Sequence, residues 1–135
     1  MLEAGIQQLV VADATVNSLI GTRFYPVLVP ENPTYPCATF QLISDVAGYS
    51  MSYEKGMEMK RIQVDSWSGG VEGASYLAAK NTDIAIRNVL ELYRGTLPDG
   101  TIVGGIFVAN SLDTYEQDAR CYRTTTDYLV NYYPQ

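Results

Sequence analysis

The sequence contains no histidine and only two cysteines among its 135 residues. Without histidine, a Ser-His-Asp triad, a Cys-His pair and a histidine-ligated zinc site are excluded. Cys37 and Cys121 fit no disulfide framework and no metal-ligand spacing. We therefore expect two buried, reduced thiols that act as small apolar side chains.

Basic residues are scarce as well. Nine Lys and Arg stand against 15 Asp and Glu, which gives a net charge of −6, and neither half of the chain forms a charged tail. Proteins that bind nucleic acid through its phosphates present a basic surface, so the composition argues against a generic nucleic-acid binder.

Long apolar runs are missing too. The longest apolar stretches are far shorter than the ~18–20 residues of a membrane-spanning helix. The N-terminus lacks the basic start of a signal peptide. We therefore expect synthesis in the cytoplasm and no membrane partner.

The patterns that are present predict one α+β domain over residues 1–135. A chain of this mass can bury about two-thirds of its surface, which suffices for a core without disulfides or metals. The order of helix, strands, long helix and strands predicts a largely antiparallel sheet, with an N-terminal helix and one long helix packed on one face.

The first part of the chain carries clear local signals. Apolar residues recur at helical spacing over 2–20, with Asp13 as the cap of a second short helix and Gly21 as its stop. Closely spaced prolines then exclude a helix and predict an extended segment. The isomer of the Tyr35-Pro36 bond stays open.

The rest of the chain predicts strands on both sides of a long helix. The helix is predicted over 71–93, with Ser68 as its cap and Gly95 as its stop. The predicted strands cover 37–44, 59–67, 102–115 and 120–133. The predicted apolar stripe of the helix comprises Ala74, Leu77, Ala78, Ile84, Ala85, Val89 and Leu92.

Two groups of residues could bind a ligand, but in both an ordinary structural role explains the sequence better. The Ser-x-Gly-x-x-Gly stretch at 68–73 opens a helix, where phosphate can bind, but it matches the dinucleotide fingerprint incompletely. Asp113, Glu116 and Asp118 lie close together without a calcium-loop pattern, as in a solvated turn. We predict no catalytic, cofactor or metal-binding residue, and no enzyme.

Tyrosine and methionine cluster around a hairpin that is predicted to turn near Lys55-Gly56. The members of the cluster are Tyr49, Met51, Tyr53, Met57 and Met59. Both residue types are adaptable and enriched in interface cores. Two interpretations stay open, namely a projecting β-hairpin arm that contacts a neighbouring subunit or another partner, and a ribbon that folds back into the core.

Tyrosine is unusually abundant, with 11 tyrosines against three phenylalanines. Because a buried tyrosine hydroxyl needs a partner, this excess favours half-buried rings with one wet edge, as at subunit contacts. The last strand places several tyrosines on one face, and we add Tyr122, Tyr128 and Tyr132 to the candidate interface residues.

Several short motifs follow one another in a defined order. Leu-Ile-Gly-Thr-Arg-Phe-Tyr-Pro at 19–26 ends the N-terminal helix, Tyr35-Pro36 leads into a strand, and Arg-Ile-Gln-Val-Asp-Ser-Trp-Ser at 61–68 precedes the long helix. Tyr122-Arg123 and Asp127-Tyr128 stand near the end. In this order the chain resembles, over nearly its whole length, the tail-completion or tail-terminator family of long-tailed phages and prophages.

The resemblance implies a virion protein without catalysis, located at the head-proximal end of the tail. Members form a ring, commonly a hexamer, that caps the tail tube, halts its polymerisation and offers a surface to the head connector. The implied partners are further copies of the chain, the tail tube protein and the head completion or connector protein, with DNA passing through the lumen without specific binding. The motif residues expected to be structural are Arg23, Tyr25, Pro26, Tyr35, Pro36, Gln63, Asp65 and Trp67.

Some questions remain open at this level. We expect Arg23 to pair with a carboxylate such as Asp65. Another head–tail joining protein or a tail tube subunit is one alternative to a terminator, and a small-ligand-binding or enzymatic α+β domain is the other. A tube subunit would polymerise into long tubes, whereas a deep pocket with a buried carboxylate would favour the last alternative.

Overall fold

The computed structural model describes residues 1–69 and 75–134. In chain order the elements are α1 (Leu2–Ala12), α2 (Ala14–Ile20), β1 (Phe24–Pro26), β2 (Cys37–Val46), β3 (Glu58–Gly69), α3 (Tyr76–Leu90), β4 (Gly95–Thr96), β5 (Ile102–Glu116) and β6 (Cys121–Tyr133). This α+β architecture confirms the predicted fold class. Within those residues, no helix has the length and apolarity to cross a membrane.

The six described strands form one sheet in the order β1-β2-β3-β6-β5-β4. The short β1 runs parallel to β2, and the other neighbours are antiparallel, as predicted. Both end strands are short, since β1 has three residues and β4 has two. They therefore cover only part of the long strands beside them.

The core lies between one face of the sheet and the three described helices. Because side chains alternate along a strand, Ile62 and Val64 of β3 point into this core, as predicted, whereas Arg61, Gln63 and Asp65 lie on the opposite, open face. The helices contribute Leu2, Ile6, Val10, Val16, Ile20, Ile86 and Leu90. Burial of each such side chain stabilises the fold by about 1.5–3 kcal/mol.

The break between α1 and α2 follows the predicted signals. The Asp13 carboxylate accepts the Val16 N–H at 3.1 Å and caps α2. Gly21 ends α2 with a φ of 59°, a conformation that suits glycine. Both predictions are confirmed.

The long helix begins later than predicted. Ser75 caps α3, because its Oγ accepts the Ala78 N–H at 3.2 Å. Ser68 is not the cap, because strand β3 continues through it to Gly69. The stretch 70–74, which holds the rest of the predicted glycine-rich turn, lies outside the described residues.

The long helix also ends earlier, at Leu90 rather than near Gly95. Leu92 adopts a φ of 63°, and its N–H donates to the Ile106 carbonyl at 2.8 Å. This bond to β5 draws the chain away from the helix axis and towards the sheet.

The buried side of α3 agrees only in part with the predicted apolar stripe: Ala85 packs in the core and Val89 against it, and Ala74 lies outside the described residues. Leu77 and Ile84 are 68% and 50% exposed, while the polar Thr82 and Asp83 are buried. Asp83 accepts a hydrogen bond from the Thr126 hydroxyl of β6 at 2.7 Å. The helix is thus rotated so that a polar contact lies inside, which apolar periodicity does not reveal.

Candidate assembly surfaces

Residues 47–57 connect β2 to β3, and we call this segment the arm. The Gly56 N–H donates to the Gly48 carbonyl at 2.8 Å and closes the base of the arm. A Cβ at Gly48 would collide with the Met57 carbonyl, so the base requires glycine there.

The tip of the arm is open to solvent, and it exposes one methionine and one tyrosine beside two serines. The chain turns over residues 50–53 and not near Lys55-Gly56 as predicted, because Lys55 lies in a β-bridge opposite Tyr49. Tyr49, Met51 and Tyr53 are 75%, 101% and 96% exposed. These three side chains are therefore outside the core of the subunit.

The other two members of the tyrosine–methionine cluster lie at the base of the arm. Met57 reaches across the open face to β5, where a Cβ on Gly104 would come within 3.1 Å of the methionine Cε. Met59 is the first open-face side chain of β3 after the arm. The predicted cluster thus divides into an almost fully exposed tip and a base that is exposed to a smaller extent.

The tyrosines of β6 divide as well. Tyr128 and Tyr132 belong to the core, and the Tyr132 hydroxyl donates to Glu58 at 2.7 Å. Their inclusion among the interface residues is therefore corrected, because in the subunit they pack against the helices. Tyr122 is half-buried, with its ring 4.9 Å from that of Tyr115 in an edge-to-face contact.

Arg23 does not pair with Asp65, so the predicted ion pair is wrong. Its Nε donates to the Pro36 carbonyl at 3.1 Å and its Nη2 to the Leu19 carbonyl at 3.3 Å. The guanidinium thereby joins the end of α2 to the Tyr35-Pro36 bond, which is cis.

The remaining residues of the first motif form the edge of the sheet. Tyr25 and Pro26 lie in β1, opposite Thr39 and Phe40 of β2. An edge position suits Pro26, because proline has no N–H to donate to a further strand. The two motif segments together build the corner where α2, β1 and β2 meet.

Asp65 is the centre of a polar network on the open face. Its carboxylate accepts hydrogen bonds from Gln63 Nε2 at 3.1 Å and Thr125 Oγ1 at 2.5 Å. Arg123 Nε adds a third at 3.1 Å, and the same guanidinium donates to Glu116 at 3.1 Å. Burial by itself lowers the pKa of Arg123, but the bonds to Asp65 and Glu116 outweigh burial and raise that pKa.

The network continues on both sides of this pair. Trp67 donates from Nε1 to Thr39 Oγ1 at 3.2 Å, and the Arg123 guanidinium lies 5.1 Å from the centroid of the indole ring. Arg61 binds the Asp127 carboxylate at 2.7 Å. The alternation of polar residues along β3 indicated this face, but no signal in the sequence showed which carboxylate each arginine binds.

The two cysteines lie within the fold. Cys37 and Cys121 are both fully buried as free thiols, which confirms the predicted burial. Burial raises the pKa of Cys37 to about 11, so its thiol is protonated at neutral pH.

Comparison with known proteins identifies a matching family and a similar fold among solved structures. The family described as "Tail completion protein gp17" matches residues 4–133. A chain in the structure titled "Virion of native gene transfer agent (GTA) particle" superposes with a TM-score of 0.75 at 17% identity, covering 98% of this chain and 95% of that chain. Comparison with curated protein sequences finds no match.

The two matches support different statements. At 17% identity the structural match shows a shared fold. The family match spans almost the whole chain and agrees with the resemblance inferred from the motifs. The chain therefore belongs to the tail completion protein gp17 family and is a structural protein of the virion tail.

Proposed function

We propose that the chain is a tail terminator. Identical subunits, six in number, form a closed ring that caps the head-proximal end of the tail tube, stops its polymerisation and presents the surface on which the head connector binds. The observation that carries this proposal is the match to the tail completion family over residues 4–133. The proposed role is structural and includes no catalysis.

The arm supports an assembly role. Met51 and Tyr53 lie at its tip with their side chains almost wholly in water. Transfer of apolar surface out of water stabilises a contact by about 25 cal/mol per Å², so these side chains gain when a partner covers them. We propose that the arm tip binds a neighbouring subunit or the tube protein when the ring is seated on the tube.

The proposal includes DNA that passes through the ring without specific binding. A net charge of −6 disfavours attachment to phosphates. On the described part of the open face, Arg61 and Arg123 are already paired with Asp127 and Asp65. If this face lines the lumen, its guanidinium groups are engaged and DNA can slide past them.

The test is a tube-assembly experiment. Purified protein is added to polymerising tube protein of the same virion, and tube lengths and ends are recorded by electron microscopy. Native mass spectrometry of the protein alone provides the subunit number of any ring. A terminator produces ring-shaped density at one end and tubes that stop growing.

Other outcomes separate the alternatives. A protein that itself polymerises into long tubes is a tube subunit. Tubes that keep growing, with no added density at either end, overturn the terminator proposal.

A further inference from the structure

The two long outer strands of the sheet are only partly covered. β1 pairs with β2 along residues 38–40, and β4 pairs with β5 along 102–103. Beyond these pairs, residues 41–46 of β2 and 107–116 of β5 make no ladder with a further strand among the described residues. We call these two segments the β2 edge and the β5 edge, and nearly all of their residues are exposed.

The two edges are only partly protected, by one bulge in each edge and by Asp45, Asp113 and Glu116. Sheets in isolated proteins block such edges with charged side chains, above all lysine, with proline, with bulges or with a covering segment, because unpaired N–H and C=O groups are a template for another chain. Neither edge contains a lysine or a proline. The exposed apolar side chains, each 41–56% accessible, are Leu42, Ile43, Val46, Phe107, Leu112 and Tyr115.

The directions of the strands make the two edges complementary. β2, β3, β6 and β5 are successive antiparallel neighbours, so β2 and β5 run in opposite directions. A rotation about an axis along the strands preserves these directions. The β5 edge of one copy therefore meets the β2 edge of the next as an antiparallel pair, the slightly more stable arrangement.

The positions of the edges favour a second copy of the chain as the occupant. The two edges lie at opposite ends of one sheet, so each copy can contact one neighbour through its β2 edge and another through its β5 edge. Such head-to-tail contacts form a ring when the rotation from copy to copy closes. A different partner protein on one edge would leave the other edge unpaired. Each edge also contains one bulge, near Ile43 and Ala109, which bends its strand as a curved wall requires.

We propose that neighbouring subunits join by backbone pairing of the β5 edge with the β2 edge, so that their sheets form one continuous wall around the ring. This inference rests on the proposed ring function and names the contact that builds the ring. The shorter edge limits the shared ladder to the six residues 41–46. The arm, at the end of β2, remains outside this ladder.

Cross-linking tests the contact directly. Ser44→Cys places an exposed thiol on the β2 edge and Asn110→Cys places one on the β5 edge, while the buried native cysteines make the unsubstituted protein the control. A flexible bismaleimide, which tolerates small differences in register, is added to ring preparations on tubes. The double variant should give a ladder of oligomers that ends at the full ring, and an equal mixture of the two single variants should give mainly dimers.

Two results of this experiment overturn the inference. Each single variant alone should give no cross-linked dimer, because the contact joins two different edges. Dimers from either single variant would indicate that like edges meet. Rings that form normally but yield no cross-links in the double variant would show that the edges lie apart.

Charge substitution tests the same contact without added thiols. Ile43→Lys and Leu112→Lys alter exposed positions, so the melting temperature of the subunit should stay unchanged, and Leu77→Lys on the helix side is the matched control. Both edge variants should lose at least tenfold in ring formation and tube arrest, whereas the control should match the unsubstituted protein. Edge variants that arrest tubes normally overturn the edge contact and leave the terminator proposal intact. An unsubstituted protein that fails to arrest tubes overturns the terminator proposal itself.

Discussion

Asp65 on β3 and Arg123 on β6 form an ion pair across the open face, with 3.1 Å between Oδ1 and Nε. The two residues are 58 positions apart in the chain. They meet because the β3–β6 register places Asp65 opposite Thr125 and Trp67 opposite Arg123. The pair thus connects the motif at 61–68 with the Tyr122-Arg123 motif.

Removal of the Asp65 carboxylate should destabilise the subunit. In Asp65→Ala, the Thr125 hydroxyl loses its acceptor and Arg123 loses one of its two carboxylate partners, so we expect a loss of about 2–3 kcal/mol. The melting temperature measured by circular dichroism should fall by roughly 10 °C. Asp118→Ala, at an exposed turn position, is the control and should change stability by less than about 0.5 kcal/mol. A similarly small effect at Asp65 would contradict the role of the network.

Removal of the hydroxyl group should change the stability of the subunit in opposite directions at two tyrosines of β6. The Tyr128 hydroxyl is buried and has no hydrogen-bond partner in the described part of the chain, whereas that of Tyr132 donates to Glu58 at 2.7 Å. Tyr128→Phe should therefore raise the free energy of unfolding by about 1 kcal/mol, and Tyr132→Phe should lower it by about 1 kcal/mol. Urea denaturation of both variants checks this. Equal losses in the two variants would show that Tyr128 has a partner.

Substitution of Gly5 in α1 by alanine should destabilise the protein, although alanine usually stabilises a helix. Alanine normally stabilises a helix by about 1 kcal/mol relative to glycine. At Gly5, however, a Cβ would collide with the Asp99 carboxylate and lie 2.9 Å from Leu97 Cδ1, so Gly5→Ala should cost about 1–3 kcal/mol. Gln8→Ala, at an exposed position of the same helix, should be neutral or stabilising. Thermal unfolding of both variants tests this prediction. A Gly5→Ala variant that is more stable than the unsubstituted protein would show that α1 does not pack closely against Leu97 and Asp99.

Asp83 should make stability depend on pH. Burial raises the pKa of this carboxyl, and the hydrogen bond from Thr126 offsets that effect only in part. The pKa of Asp83 is higher in the folded than in the unfolded state, so the charged carboxylate destabilises the fold at neutral pH. This destabilisation disappears as the pH falls through the folded-state pKa to the unfolded-state pKa. Asp83→Asn should therefore melt higher at pH 7, and its advantage should shrink in acid. A difference that is constant from pH 7 to pH 3 would contradict this account.

The arm tip should matter for assembly and not for folding. Met51→Ser combined with Tyr53→Ser changes side chains that are almost fully exposed, so the melting temperature should not move. Tube arrest should require at least tenfold more protein. The matched control is Leu77→Ser combined with Leu92→Ser, which changes exposed apolar residues outside the arm. Tube arrest at unchanged concentration would exclude the arm tip as a contact.

Errors in the sequence-based predictions have physical causes. Ser68 and Ser75 both precede helical sequence and both qualify as caps. Pairing of β3 with β6 as far as Gly69 keeps Ser68 in a strand and leaves Ser75 as the cap. For the arm, the glycine at position 56 suggested a turn, but its N–H closes the base with Gly48.

Local signals were sufficient where an interaction involves residues close in the chain. The Asp13 cap, the Gly21 stop and the alternation of Ile62 and Val64 depend only on neighbours within a few positions. The order of short motifs likewise indicated the family that the match over residues 4–133 confirms.

Tertiary structure alone decided which polar groups meet. Asp65 binds Arg123 and not Arg23, and α3 turns Asp83 inward because Thr126 donates to it. It also decided that Tyr128 and Tyr132 are core residues while Met51 and Tyr53 stay in water. A charge or a ring has many sequence-compatible partners, and only the register of distant strands and the rotation of a packed helix select one of them.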